Sequence, residues 1–336
     1  MKILLSSHFF HPSVGGIERV SYTLAQEFIR EGHEVIVVTT TREEEEIDFP
    51  LRVVRRPFPR ELIRLVQWCD VYFHNNISLQ TAWPLLFIRK PWVVAHHTWI
   101  TRVDGRIAFR DRIKQWVSRS AKNISVSKAM AKHISGTSVI IGNPYSDAEF
   151  RKISSVVRER ELIFLGRLVW DKGMDLLVEA LHVLKKRGLI VKLNVVGDGP
   201  ELRALRQQVQ RLGLEEQVAF LGTRTGLELM VLLNAHKIIM VPSRWQEPFG
   251  LVALEGIACG CVAVGAECGG LPDAIGAAGT TFACGDVGDM AFKIAALLSD
   301  EATLASYRAE AKTHLRDHTA RIVARKYLDV LEDAVR

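Results

Sequence analysis

Glu247 and Glu255 stand eight positions apart in "QEPFGLVALEG" (residues 246–256), a stretch that opens on Pro-Phe-Gly and then runs apolar. Proline loses nothing at the first position of a helix, where its missing N–H would have no partner, so Pro248 predicts a helix start. Glu247 then sits at the N-terminal mouth, beside unpaired backbone donors and the positive end of the helix dipole. At about 100° per residue, Glu255 falls roughly 80° around the helix from Glu247, and the two acids can border one cleft. Taken alone, the pair reads equally as a helix-start acid and a solvated surface glutamate.

The cations come in "FLGRLVWDKGMDLLVEAL" (164–181), where a buried strand ends at Gly166 and Arg167 and Lys172 follow on the loop before a helix. Two cations there suit a pyrophosphate that departs with negative charge, which arginine can bind through two parallel hydrogen bonds. A surface ion pair between Arg167 and Asp171 is the plainer reading. "VVGDGPELRAL" (195–205) repeats the arrangement, with Gly197 and Gly199 in the turn and a proline near the helix start. Gly15 and Gly16 precede another helix but lack the Gly-x-Gly-x-x-Gly spacing of a dinucleotide site. Each glycine turn alone says little, because turns need glycine anyway. Together the loops predict a diphosphate-containing donor gripped mainly by the second half of the chain. In "WVVAHHTWITR" (92–102) a strand ends in His96 and His97. Strand alternation sends their side chains to opposite faces, so only one can line a cleft.

The elements that must position these residues alternate in both halves: short β-branched runs, then longer segments of helical period, as in βαβ units on a parallel sheet. Strands are expected near 2–6, 34–39, 51–54, 71–74, 92–96, 123–126 and 138–141 in the first half. The second half offers "ELIFLG", "VKLNVVG", "VAFLG", "KIIMVPS" and "CVAVGA", with helices near 174–187, 200–212, 226–234, 249–258 and 287–298. "GNPYSDAEFRKISS" (142–155) reads as the linker, and the last segment as helical throughout. In doubly wound sheets of this kind ligands bind beyond the carboxyl ends of the strands.

A chain of 336 residues is long enough for two domains with separate cores, and 48% hydrophobic with 24% charged residues is ordinary for a soluble globular protein. No apolar run approaches the roughly 20 residues that span a bilayer, and the N-terminus lacks the features of a signal peptide. Cys69, Cys259, Cys261, Cys268 and Cys284 show no Cys-x-x-Cys spacing. They read as free thiols in a reducing compartment, which predicts a cytoplasmic location and neither disulfide nor zinc. Residues 1–145 carry 20 Lys/Arg against 13 Asp/Glu, whereas residues 146–336 carry 24 against 25. The basic surplus concentrates in 102–132, where Arg102, Arg106, Arg110, Arg112, Lys114 and Arg119 alternate with Ile107, Phe109, Ile113, Trp116 and Val117. This reads as a basic amphipathic helix on an anionic membrane surface, or as apolar residues packed on the sheet beneath solvated cations. The donor cleft leaves little room for a nucleic-acid role.

"GGIER" (15–19), "GRLVWDKG" (166–173), "VVGDGP" (195–200), "PSRWQEPFGLVALEGIACG" (242–260) and "GG" (269–270) resemble, in order and over nearly the whole chain, the retaining GT-B-fold glycosyltransferases of family 4, the glycosyl transferases group 1. The resemblance implies an α/β architecture of two doubly wound Rossmann-like domains whose parallel sheets face each other across a cleft. An acceptor-binding domain would occupy 1–145, a donor-binding domain 146–315, and a C-terminal helix 316–336 would pack back towards the first. Glu247 would bond hydroxyls of the donor sugar and Glu255 the ribose. The N–H groups of Phe249, Gly250 and Leu251 would meet phosphate or sugar oxygens, with Gly197 and Gly199 among the donor-contacting turns. Arg167 and Lys172 would stabilise the leaving diphosphate, and the Gly15–Gly16 loop would approach the phosphates while leaving room for the acceptor. Family members carry a histidine beside the sugar ring at the end of this first-domain strand, and the register favours His97 over His96. No carboxylate presents itself as a covalent nucleophile, so front-face attack through an oxocarbenium-like state is expected. No Asp-x-Asp-like pair is placed at the donor site, so the reaction needs no metal; nor is a cofactor expected, the nucleotide sugar (UDP- or GDP-linked) being a substrate.

The acceptor so implied is a glycan, a lipid-linked sugar or a small molecule, in polysaccharide, lipopolysaccharide or glycolipid synthesis on the inner face of a membrane. Cys261 stands where the family often has proline, Asp273 where it often has glutamate, and "GNPY" where an Asn-Gly turn is commoner; none removes an expected contact. The rival functions are a non-catalytic nucleotide-sugar-binding subunit, and an epimerase or phosphorylase of the same two-domain build.

Overall fold

Strands covered on both faces need no polar alternation, so apolar β-branched runs become parallel sheets with helices packed on either side. A computed structural model of the chain describes residues 1–11, 15–42, 51–100, 108–134 and 136–336. The acidic run at 43–46, together with Arg102, Asp104, Arg106 and Ile107, lies outside the described residues. The chain divides into two units, one made of Met1–Pro144 with Ala320–Arg336, the other of Tyr145–Thr319.

The first unit contains β1 (Lys2–Ser7), β2 (Glu34–Thr39), β3 (Arg52–Arg55), β4 (Val71–Asn75), β5 (Trp92–His96), β6 (Lys122–Ser125) and β7 (Ser138–Ile140). They form one parallel sheet in the order β3-β2-β1-β4-β5-β6-β7. Alternation along each strand splits the core between two faces. Leu4, Ile36, Tyr72, Trp92 and Val94 join one buried cluster with Leu62, Val66 and Met130. Phe73 instead meets Phe28 of the helix Gly16–Arg30 and Tyr327 of the helix Ala320–Val335, ring centroids 6.3 and 5.7 Å apart. The last helix of the chain is therefore part of the first unit's core.

The second unit contains β8 (Arg160–Leu165), β9 (Leu193–Val196), β10 (Val218–Gly222), β11 (His236–Val241), β12 (Val262–Ala266) and β13 (Gly279–Phe282), in the order β10-β9-β8-β11-β12-β13. All pairs are parallel. The two doubly wound sheets are those expected, but four local expectations are corrected. Strand β13 has no counterpart among the strands expected from the sequence; in its "GTTF" only Phe282 is buried. The final segment is not one helix: Glu301–Arg316 and Ala320–Val335 are separated where the carbonyl of His318 accepts the N–H of Tyr145 at 3.0 Å and Thr319 bridges to Tyr145.

The helix expected from Pro248 begins instead at Leu251, because Gly250 takes φ +111°. Fourth, the cysteines are not all free. Cys268 and Cys284 form a disulfide across a Cα–Cα distance of 5.8 Å. Each lies two residues beyond the last paired residue of adjacent parallel strands, Ala266 of β12 and Phe282 of β13, which brings them side by side despite a separation of 16. Cys69, Cys259 and Cys261 are free and buried.

Candidate active site

In each sheet the strand order reverses beside the first strand of the unit, between β1 and β4 in one and between β8 and β11 in the other. Open α/β sheets bind ligands outside the carboxyl ends of the strands at such a reversal. Arg167 and Lys172 follow β8 and Glu247 follows β11 at the second of these points, and Gly15 and Gly16 follow β1 at the first, whereas His97 follows β5 and Gly197 and Gly199 follow β9, each one strand away.

In the second unit the loop after β8 packs on the loop after β11. The carbonyl of Asp171 accepts the N–H of Arg244 at 2.9 Å. Gly173 takes φ +66°, and a Cβ there would fall 2.0 Å from the Pro242 carbonyl oxygen, so no other residue allows the approach. Lys172 Nζ donates to Glu247 Oε1. Ser243 Oγ donates to the same oxygen at 2.8 Å. Arg244 forks onto Asp175 at 2.8 and 2.5 Å and lies over the Trp170 ring at 5.4 Å. The Gly197 turn is pressed equally close: a Cβ there would sit 1.9 Å from the Gly166 carbonyl oxygen. The loops are stitched by Leu168 N–H to Asp198 O at 2.8 Å and Glu201 N–H to Leu168 O at 3.0 Å. Gly199 lies within this pair of turns. Arg167 is exposed and, among the described residues, makes no ion pair with Asp171 or any other acid.

The later start of the helix Leu251–Ala258 changes the reading of the two glutamates. Glu247 lies outside the helix, its carbonyl accepting the N–H of Gly270 at 2.7 Å, and Glu255 falls in the second turn. Glu255 is buried, at 8% exposure, not a solvated surface residue. Among the described residues the N–H groups of Phe249, Gly250 and Leu251 donate to no other group, which leaves a helix N-terminus able to receive an anion. The Phe249 ring is buried and packs 5.4 Å from the His318 ring, which anchors this start.

In the first unit Gly15 and Gly16 are exposed at the start of the helix Gly16–Arg30, where the Gly15 carbonyl takes the first N–H, from Arg19, at 3.2 Å. His96 and His97 are both buried, but they reach opposite neighbours of β5. His96 Nε2 meets Asn123 Oδ1 of β6 at 2.8 Å, and His97 Nε2 meets Asn75 Oδ1 of β4 at 2.7 Å. Asn75 Nδ2 donates to Ser21 Oγ at 2.6 Å, and Ser21 Oγ lies 2.8 Å from Ser7 Oγ at the end of β1. The His97 side thus connects to the switch point of the sheet. Burial pushes the His97 pKa down to about 3, the neighbouring His96 lowers it further and the Asn143 side chain opposes the shift, so the imidazole is neutral. His96 is lowered by the same cause, against the Asn123 hydrogen bond.

The structure therefore brings Lys172, Glu247, Phe249, Gly250 and Leu251 together, with Arg167 on the loop before them, and gathers His97 near the helix that follows Gly15 and Gly16. Sequence reasoning missed Ser243, Arg244 and Asp175 in one unit and Asn75, Ser21 and Ser7 in the other. One signal was available: "ILLSS" and "VYFHN" are apolar strands that end in polar residues, and these are the two strands flanking the switch point.

The family model described as glycosyl transferases group 1 matches residues 146–314, and that of glycosyltransferase family 4 matches residues 14–139. The chain is 27% identical to an uncharacterised glycosyltransferase of Methanocaldococcus jannaschii, over 82% of this chain and 83% of that one. It is 24% identical to a component of the phosphatidylinositol N-acetylglucosaminyltransferase of Arabidopsis thaliana, over 82% of this chain and 69% of that one. Among solved structures, HepE of Anabaena in complex with UDP superposes with a TM-score of 0.83 at 22% identity, covering 99% of this chain and 100% of that chain. WaaG, a glycosyltransferase involved in lipopolysaccharide biosynthesis, gives 0.72 at 18%, covering 98% and 99%.

Proposed function

The chain belongs to the glycosyl transferases group 1, with the GT-B fold, and we propose that it moves a sugar from a nucleoside diphosphate sugar to a glycan or lipid-linked acceptor with retention at the anomeric carbon. The observation that carries this reading is the pairing of Lys172 with Glu247 beside the open N–H groups of Phe249, Gly250 and Leu251, with Arg167 exposed on the loop before them. An arriving diphosphate competes with Glu247 for the Lys172 ammonium. It gains Arg167 and the helix N-terminus as further donors, and Glu247 is released to accept from sugar hydroxyls. Glu255, four residues into the helix, takes the ribose hydroxyls. As the bond from the anomeric carbon to the phosphate oxygen breaks, charge grows on the diphosphate where these cations stand. The acceptor oxygen bonds the anomeric carbon on the same face, and the departing phosphate oxygen takes the acceptor's proton. His97 is the first-unit residue expected to stabilise or orient the sugar. No metal and no further cofactor takes part, so transfer persists in EDTA.

UDP is the favoured nucleotide, since the solved HepE neighbours hold UDP and UDP-glucose. A thermal-shift panel of UDP-, GDP- and ADP-sugars tests this, because a ligand that binds only the folded state raises Tm by mass action. A UDP-sugar gives the largest shift; no shift with any nucleotide sugar sinks the proposal. Release of free sugar phosphate on adding inorganic phosphate would mark a phosphorylase instead.

The acceptor is anionic or lipid-linked, presented at the cytoplasmic face of a membrane. The helix Phe109–Ser118 supports this: Phe109 is 78% and Trp116 67% exposed, about two turns apart on one side, among Arg110, Arg112, Lys114 and Arg119. These two aromatics do not pack on the sheet. No helix among the described residues is long and apolar enough to cross a membrane. Each cation near an anionic leaflet contributes about 1 kcal/mol, so binding is peripheral and salt-sensitive. The protein is expected to co-sediment with phosphatidylserine vesicles at low salt and to leave them at high salt; equal pelleting with neutral vesicles refutes the membrane role.

A further inference from the structure

The Glu247 carboxylate is held by one oxygen only. Its Oε1 accepts from the Lys172 ammonium and, at 2.8 Å, from Ser243 Oγ, whereas Oε2 accepts from no group among the described residues. The two donors differ in kind. Lys172 ends in a point charge on a flexible four-carbon stem, free to follow a stronger anion. Ser243 is 1% exposed and cannot follow. It stands between two residues pressed onto the neighbouring loop: Pro242, whose carbonyl packs against Gly173, and Arg244, whose N–H lies on the Asp171 carbonyl. The other end of the bond is fixed as well. The Glu247 carbonyl takes the Gly270 N–H at 2.7 Å, and a Cβ at Gly269 would fall 2.3 Å from that oxygen. These backbone contacts hold the loop in shape without the Ser243 hydroxyl, so its bond to Glu247 is left to orient a side chain.

We propose that Ser243 is a positioning residue for sugar recognition. Its hydroxyl keeps Oε1 when Lys172 turns to the diphosphate, so that Oε2 remains presented to one hydroxyl of the transferred sugar. The sugar contact rests on the function proposed above; the sharing of Oε1 between a mobile and a fixed donor does not. An ionised carboxylate only accepts hydrogen bonds, so the group it reads must be a donor, and a sugar lacking that hydroxyl leaves Oε2 empty. Without the Ser243 hydroxyl the carboxylate has one side-chain partner, the departing ammonium. Once that has gone, Glu247 regains its rotamers and must be ordered again for each sugar bound, an entropic cost that falls on the sugar contact alone.

Calorimetry on the whole protein tests this, with the nucleotide sugar that gives the largest thermal shift and with analogues in which each ring hydroxyl in turn is replaced by hydrogen. In the wild type one analogue is expected to bind about 10–100-fold more weakly than the parent, the range for a hydrogen bond to a charged group. In Ser243→Ala, a truncation that leaves the loop's backbone contacts in place, the parent loses most of that advantage and the analogue loses little, so the two converge. Such a shortfall from additivity marks one shared contact. The matching nucleoside diphosphate, which carries no sugar, binds both proteins alike. An equal parent-to-analogue ratio in the two proteins overturns the assignment. So does a weakened nucleoside diphosphate with the sugar preference retained, which would make Ser243 a support of the loop and not of Glu247. No thermal shift with any nucleotide sugar overturns the proposed function and this assignment together, whereas the two results before it overturn this assignment alone.

Discussion

In the first unit His97, Asn75, Ser21 and Ser7 are buried and uncharged, whereas in the second Lys172, Glu247, Arg244 and Asp175 are ions whose side chains keep between 17% and 33% of their exposure. A buried neutral hydrogen bond contributes only about 0.5–1.5 kcal/mol net, but leaving one of its groups unpaired costs roughly 1–3 kcal/mol. Such a network resists rearrangement. A partly exposed ion pair is worth little by itself and is screened by salt, so it yields more readily to an incoming charge. The contrast suits the first unit to holding a fixed geometry and, under the proposed function, the second to exchanging partners when an anion arrives.

Replacing cations should break the second arrangement hardest. Arg167→Ala or Lys172→Ala is expected to lower kcat by roughly 10²–10³, the scale for a lost donor to transition-state charge, and steady-state kinetics that leave both variants unchanged would remove them from the site. Next come the contrasted losses. Glu255→Ala weakens UDP binding by roughly 10–100-fold, the cost of about 1.5–3 kcal/mol for a hydrogen bond to a charged group. His97→Ala leaves UDP binding near wild type but abolishes transfer, and calorimetry alongside turnover separates the two. If His96→Ala is the inactive variant and His97→Ala transfers normally, the register of the strand end is off by one residue.

The smallest effect is on stability. Burial pushes His74 and His97 down to about 3 and His236 to about 4. Below the ordinary value near 6.5 the unfolded chain binds protons that the folded chain refuses, so stability is complete above that pH and declines as the pH falls towards 4 and 3. Two of these groups lie in the first unit and one in the second. Hydrogen exchange during acid titration should therefore show first-unit strands losing protection at a higher pH than second-unit strands, and coincident loss would mean that other groups decide.

The parallel strands were legible because strands buried on both faces leave long apolar runs, as in "KILLS" and "KIIMV". Strand β13 was not, since Gly279, Thr280 and Thr281 are only partly buried and supply no such run. "RDHTA" gave no sign of a break in the last helix: it contains neither glycine nor proline, and the interruption comes from a hydrogen bond to Tyr145, far away in the chain. Pro248 misled in the opposite direction. It is compatible with a helix start, but the left-handed turn at Gly250 decides where the helix begins. The chemistry-bearing loops could be placed at strand ends from pattern alone, while their partners could not. Asn75 is 22 residues from His97, and Asp175 is 69 from Arg244, and both pairings are made only by the sheet order.

The first unit is closed by residues from the far end of the chain: Tyr327, Leu328 and Leu331 are fully buried against it. During synthesis, which runs from the N-terminus, the second unit is contiguous and can complete its core while the first still lacks one helix. The nascent first sheet would expose the strip around Phe73 until residues 320–336 have left the ribosome, and closing the loop back to them slows its folding. A polypeptide cut after Thr319 keeps the whole second unit but should leave the first a sticky, chaperone-dependent intermediate, and restoring the missing helix as a separate peptide should rescue its solubility.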